Sequence, residues 1–201
     1  MLFRSIIDDN VTIKSNTHLE GPLYVGNGSI ISPLSYVKNS VIGPMCKIGG
    51  ELNSVVIEGY TNKVHYGFLG NSYIGEWVNF GAGTTNSNLK NNYGEVRVQM
   101  NDEVFETNRI HLGCFIGDYV KTSIGTKINT GSVYGPGSMI FSKDFPSKNI
   151  PILTWYTDSG MSRVGIDKFI LNCHRMKKRR GVDFDIVEEQ FYRNLFLKVE
   201  K

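Results

Sequence analysis

Residues 7–37, IDDNVTIKSNTHLEGPLYVGNGSIISPLSYV, place an aliphatic side chain at every sixth position: Ile7, Ile13, Leu19, Val25, Ile31 and Val37. A helix repeats its faces every 3.6 residues and a strand every two, so a period of six fits neither an amphipathic helix nor a hairpin sheet. It fits a chain of short straight faces, each with one inward aliphatic residue and a turn, three faces to a coil and the coils stacked about 4.8 Å apart. Compact residues four positions on, Val11, Thr17, Ser29 and Ser35, suit the turns. Sandwich strands would recur every ~8–12 residues and alternate inside and out, which these do not.

Outward from that stretch the phase slips by one after Val37 and resumes at Ile42 and Ile48, as IGPMCK and IGGELN. It returns at Ile74 and Phe80 (IGEWVN, FGAGTT) and again through Ile116, Thr122, Ile128, Tyr134 and Ile140. The expected fold is all-β, a parallel β-helix of hexapeptide repeats over residues 1–142, followed by a crossing segment and helical appendage over 143–201. Two segments break the repeat. Residues 86–112 carry no hexads, and EVRVQMNDEVFET alternates about Asn101 and Asp102 like two short strands thrown out from the coil. The run KDFPSKNIPILTW holds two prolines and no repeat, so the coil is expected to end near Ser142.

From Ser162 the pattern turns helical, with Val164, Ile166, Phe169, Ile170, Cys173 and Met176 on one side and Gly181 as a left-handed stop. A second helix is expected from Asp185, with Glu188 in capping position, through Val187, Phe191 and Leu195 to Val199. The basic run RMKKRR at 175–180 reads as compensation of the first helix's negative end rather than as a nucleic-acid patch.

Composition narrows the function classes. The 201 residues are 40% hydrophobic and 20% charged with a net charge of +3, which argues neither disorder nor nucleic-acid binding. No run of about 18 apolar residues spans a membrane, and the opening MLFRSIIDDN lacks the continuous apolar core of a secretory signal. Cys46, Cys114 and Cys173 form no CxxC, so free thiols in a reducing, cytoplasmic setting are expected, and no zinc site. The histidines at 18, 65, 111 and 174 have no close partner, and no metal is expected. His65, in NKVHYGFLG, lies about one coil ahead of Asn79, so stacking brings it near residues 80–84. A neutral imidazole there can accept a proton near pH 7.

Residues 49–142 resemble the acetyltransferase half of the bifunctional sugar-1-phosphate nucleotidylyltransferases, the family of glucosamine-1-phosphate acetyltransferase/uridylyltransferase. The resemblance rests on NKVH at 62–65, GNSYIGEWVNFGAGTTNSNLK at 70–90 and FIGDYVKTSIGTKINTGSVYGPGS at 115–138, in the manner of its archaeal and Bacteroidetes-like branches. It implies a left-handed β-helix that trimerises, with sites between subunits and acetyl-CoA lying along the coils. It further implies His65 as general base, Asn79 and Asn88 at the acceptor sugar, and Lys90 and Arg97 at the phosphate. Ala82 would lie at the thioester end of the cofactor, with Gly83 and Lys121 also on its side. Two departures stand out: Phe68 replaces a family tyrosine, leaving Tyr66 to supply a hydroxyl, and Gly94 replaces a phosphate-site lysine. The nucleotidyltransferase half, with its glycine-rich loop, is absent from the sequence. The expected function is acetyl-CoA-dependent N-acetylation of an amino-sugar 1-phosphate, by this chain alone or with a separate nucleotidyltransferase chain. The alternatives are a non-catalytic trimeric scaffold for such a partner and an acyltransferase for another sugar.

Assembly is also argued from the coil. Tyr73, Trp77, Phe80, Phe115 and Tyr119 fall at hexad positions expected to face partly outward, and aromatics gathered on one flank suit a subunit interface. A homotrimer would set His65 of one subunit near the excursion of its neighbour. The competing expectation is that these aromatics cover the coil beneath the C-terminal helices.

Overall fold

The chain stacks its hexads as the period requires, in a computed structural model that describes residues 4–100 and 103–199. The first face of each coil joins one eight-stranded parallel sheet, whose inward residues align in register as Ile7, Val25, Ile42, Ile57, Ile74, Ile116, Tyr134 and Ile150. On the second face Ile13, Ile31, Ile48 and Lys63 align, and on the third Leu19, Val37, Leu52 and Leu69. The architecture is a left-handed parallel β-helix with two C-terminal helices. Every inward aliphatic from Val25 onward is buried, whereas Ile7 and Ile13, in the first described coil, remain exposed.

The second and third faces are interrupted at one level. Across residues 77–90 the second face continues only through single bridges from Asn62 to Asn79 and from Asn79 to Lys121, and the third resumes as a separate pair at Asn86 and Ile128. The interior turns polar at that level: Lys63 and Asn86 are both buried among the aliphatic columns. Asn86 is satisfied there, accepting from the Gly70 amide at 2.8 Å and donating to the Gly70 carbonyl at 3.0 Å and Ser72 Oγ at 3.1 Å.

The excursion is the expected pair of antiparallel strands, Arg97–Met100 and Glu103–Glu106; the turn at residues 101 and 102 lies outside the described residues. Its base is closed by the Leu112 amide donating to the Asn88 carbonyl.

The coil does not end at Ser142. Asn149–Ile150 rejoins the first face and Thr154–Thr157 pairs in parallel with Met139–Phe141, before a hairpin to Gly160–Arg163. No strand forms on the third face between Phe141 and Asn149, so the hexad spacing vanishes there although the coil continues.

Helix α1 spans Ile166–Lys178 and buries Phe169, Ile170 and Cys173. Gly181 stops it with φ of +67°, as its position predicted. Helix α2 spans Ile186–Val199, and Asp185 caps it by accepting from the Glu188 amide at 2.8 Å. Its inward residues are Tyr192, Leu195 and Phe196, while Val187 and Phe191 are exposed.

These helices decide where the aromatics go. Tyr60, Trp77 and Tyr119 stack from coil to coil, and Phe169, Phe184 and Tyr192 close over them. Trp77 and Tyr119 are therefore covered within the chain and Phe80 points into the core, which corrects the expected aromatic flank. Only Tyr73 and Phe115 remain on the exposed side of the first face. Among the described residues no helix is long and apolar enough to cross a membrane.

Candidate active site

His65 stands at the turn after the second face, two residues beyond the inward-pointing Lys63. The Lys63 ammonium donates to the carbonyls of Gly49 at 3.1 Å and of His65 at 3.0 Å, which ties the histidine's backbone to the coil interior while its ring faces solvent. Burial pushes this ammonium down to about 8. The neighbouring coils press close. A Cβ on Gly67 would lie 2.1 Å from the Thr84 carbonyl, and one on Gly81 would lie 2.3 Å from the Ser123 carbonyl, so these positions demand glycine.

A groove of about 360 Å³ opens beside the histidine, lined by Lys47, Asn62, His65, Asn79, Ala82 and the C-terminal end of α1. Asn62 and Asn79 form a stacked amide pair on its wall, with Asn62 Nδ2 donating to Asn79 Oδ1 at 3.4 Å. A second recess of about 420 Å³ continues past Asn79 to Trp77 and Lys121. Lys121 Nζ donates to the Tyr119 carbonyl at 3.3 Å, and burial holds its ammonium below the usual lysine range. His65, Asn79 and Ala82 thus share one groove, and Lys121 shares the adjoining recess with Asn79.

The other expected residues lie elsewhere. Tyr66 is exposed with its hydroxyl against Gly83, where an added Cβ would be 3.0 Å away. Asn88 donates to Asn71 Oδ1 at 2.6 Å and Lys90 to the Glu95 carbonyl at 3.0 Å. Lys90 and Arg97 sit near Lys148, whose ammonium is held down by burial and by those two cations. Asn88, Lys90 and Arg97 form a group at the base of the excursion and do not line the His65 groove.

Sequence reasoning missed Lys47, Asn62, Lys63 and the α1 arginines. Asn62 precedes Asn79 by one coil, so the stacking rule applied to asparagines would have found the pair. Lys63 gave no signal because a lysine stands at the hexad step between Ile57 and Leu69, where the period calls for an aliphatic residue. The three cysteines are buried, and burial pushes Cys46 up to about 11 and Cys114 and Cys173 up to about 12.

No family model matches the chain. A bifunctional sugar-1-phosphate nucleotidylyltransferase/acetyltransferase of Sulfurisphaera tokodaii is 39% identical over 141 residues, 68% of this chain and 35% of that protein. This chain is a relative of the acetyltransferase part of those proteins. A bifunctional protein GlmU of Thermodesulfovibrio yellowstonii is 32% identical over 151 residues, covering 74% of this chain and 30% of that protein. The chain therefore spans about a third of the length of these two relatives. Among solved structures, AntD, an N-acyltransferase from Bacillus cereus in complex with dTDP and 3-hydroxybutyryl-CoA, superposes with a TM-score of 0.51 at 13% identity. That match covers 86% of this chain and 90% of AntD, a likeness of fold. The chain thus has the hexapeptide-repeat acyltransferase fold.

Proposed function

We propose that the chain is a sugar acyltransferase that uses acetyl-CoA to N-acetylate an amino-sugar 1-phosphate such as glucosamine 1-phosphate, with His65 as general base. The observation that carries this reading is the groove in which a solvent-facing imidazole, two stacked asparagines and a glycine-flanked alanine meet between closely pressed coils. The imidazole would take a proton from the acceptor amine as its nitrogen attacks the thioester carbonyl. The carbon–sulfur bond then breaks and the thiolate leaves. Most backbone amides of the ladder, that of Asn79 included, are already engaged in coil stacking, so the Asn79 side-chain amide on the exposed groove wall is the donor best placed for the developing oxyanion. No acyl-enzyme is needed, and the buried, strongly raised thiols support a direct transfer.

The split between the His65 group and the Asn88–Lys90–Arg97 group supports a site shared between copies, one group from each subunit. Purified chain is assayed for thiol release from acetyl-CoA with glucosamine 1-phosphate. Turnover should fall about 10²–10⁴-fold in His65→Ala; turnover retained there removes the base assignment. Acetyl-CoA binding without turnover points to another acceptor sugar, and no binding points to the scaffold role beside a nucleotidyltransferase chain.

A further inference from the structure

The basic run at the end of α1 does more than face a helix dipole. Lys177 turns inward to Glu188 and lies 5.3 Å from the Trp77 ring, serving the packing of the helices. Arg180 reaches across to the coil instead, donating to Asn62 Oδ1 at 2.8 Å and to the Met45 carbonyl at 3.4 Å. Arg175 and Arg179 line the same space from the helix side, and Lys47 and Lys121 from the coil side. Five cations thus border two adjoining compartments, and among the described residues no carboxylate lines either. Like charges gathered in this way repel one another unless an anion joins them. Guanidinium forks match phosphate oxygens in pairs, which an ammonium cannot do.

We propose that the space between the second face and the C-terminal end of α1 is a binding site for the phosphate or diphosphate of a ligand whose reactive end lies at His65. The site takes its anion on Arg175, Arg179 and Lys47, with Arg180 fixing the helix end to Asn62 and Lys121 closing the far side. Two ligands of the proposed reaction carry this chemistry, the diphosphate of acetyl-CoA and the phosphate of the acceptor sugar. The inference rests on the acyl-transfer reading for the ligand's identity but not for the binding itself. The depressed Lys121 ammonium fits, since a bound anion would restore it.

The test is calorimetric titration of the intact chain at low salt with inorganic pyrophosphate, coenzyme A and glucosamine 1-phosphate. The variants are Arg175→Gln/Arg179→Gln and Lys47→Gln, whose melting temperatures are checked against wild type. Pyrophosphate should bind wild type, and its Kd should rise about tenfold or more in the double variant. A parallel loss for coenzyme A alone assigns the anion to the donor, and one for glucosamine 1-phosphate alone assigns it to the acceptor. No pyrophosphate binding to wild type, or equal Kd values in wild type and both variants, overturns the site. Weakened binding in a chain that transfers no acetyl group leaves the site standing without the enzyme. Transfer with unchanged KM values in the double variant leaves the enzyme standing without the site.

Discussion

Lys63 is the residue whose chemistry most departs from its sequence appearance. Its ammonium is pushed down to about 8 by burial, whereas an unfolded chain keeps a lysine proton to about pH 10.4. Below pH 8 both states bind the proton, and the cost of the buried charge is fully present. As pH rises through 8 the folded chain gives up a proton that the unfolded chain still holds, so this group favours folding increasingly up to pH 10.4. The buried thiols act in the opposite sense above about pH 8.5, because the folded chain retains their protons. The informative quantity is therefore a difference. Wild type should gain on Lys63→Met by up to about 3 kcal/mol between pH 7.5 and 10 in urea denaturation, and a difference independent of pH would contradict the buried charge. The thiols make their own prediction: none of Cys46, Cys114 and Cys173 should react with iodoacetamide at pH 8 in the native chain, and all three should in urea, as read by mass spectrometry.

At the scale of elements, the helices are held to the coil by an aromatic stack and one buried cation. Tyr60 and Trp77 lie 4.3 Å apart between ring centroids, and Lys177, bonded to Glu188, lies over both Trp77 and Phe184. Trp77→Ala should cost about 3–5 kcal/mol in denaturant unfolding, and a loss below about 1 kcal/mol would show that the helices dock by other contacts. This docking was the least legible feature of the sequence. The coil was readable because each inward aliphatic repeats at a fixed step, and Gly181 and Asp185 marked helix ends by local chemistry. Trp77 and Tyr119 sit at turn positions whose exposure depends on what a distant segment covers, and no local pattern reports that. The coil's continuation past Ser142 was hidden for a similar reason, since a loop stands where the third face would be. The site was legible where stacking alone brings residues together, as with His65, Asn79 and Ala82, and illegible where α1 folds back over the coil.

For the whole molecule, the exposed side of the first face presents Ile6, Val41, Val56, Tyr73 and Phe115 in one line. Such a row suits contact with other copies, and we expect a homotrimer whose sites combine His65 of one subunit with the Asn88–Lys90–Arg97 group of the next. Light scattering that finds a monomer still turning over substrate would remove that arrangement. The stack also has a built-in parting plane. Among the described residues only the first of its three sides is stitched without interruption, while across residues 77–90 the second is joined by isolated bridges and the third by side-chain bonds of Thr85 and Asn86. In a quasi-one-dimensional column the weakest junction sets where it divides. Native-state hydrogen exchange should show the amides of Asn62 and Phe80, which bond across this level, opening at lower free energy than those of Val41 and Gly43 on the first side; uniform protection would contradict this. The column would then come apart as two blocks swinging on the first side as on a spine. A ligand reaching from Lys47 on the lower block to Lys121 on the upper would act as a clasp, so occupancy of the groove would be felt as rigidity along the whole column.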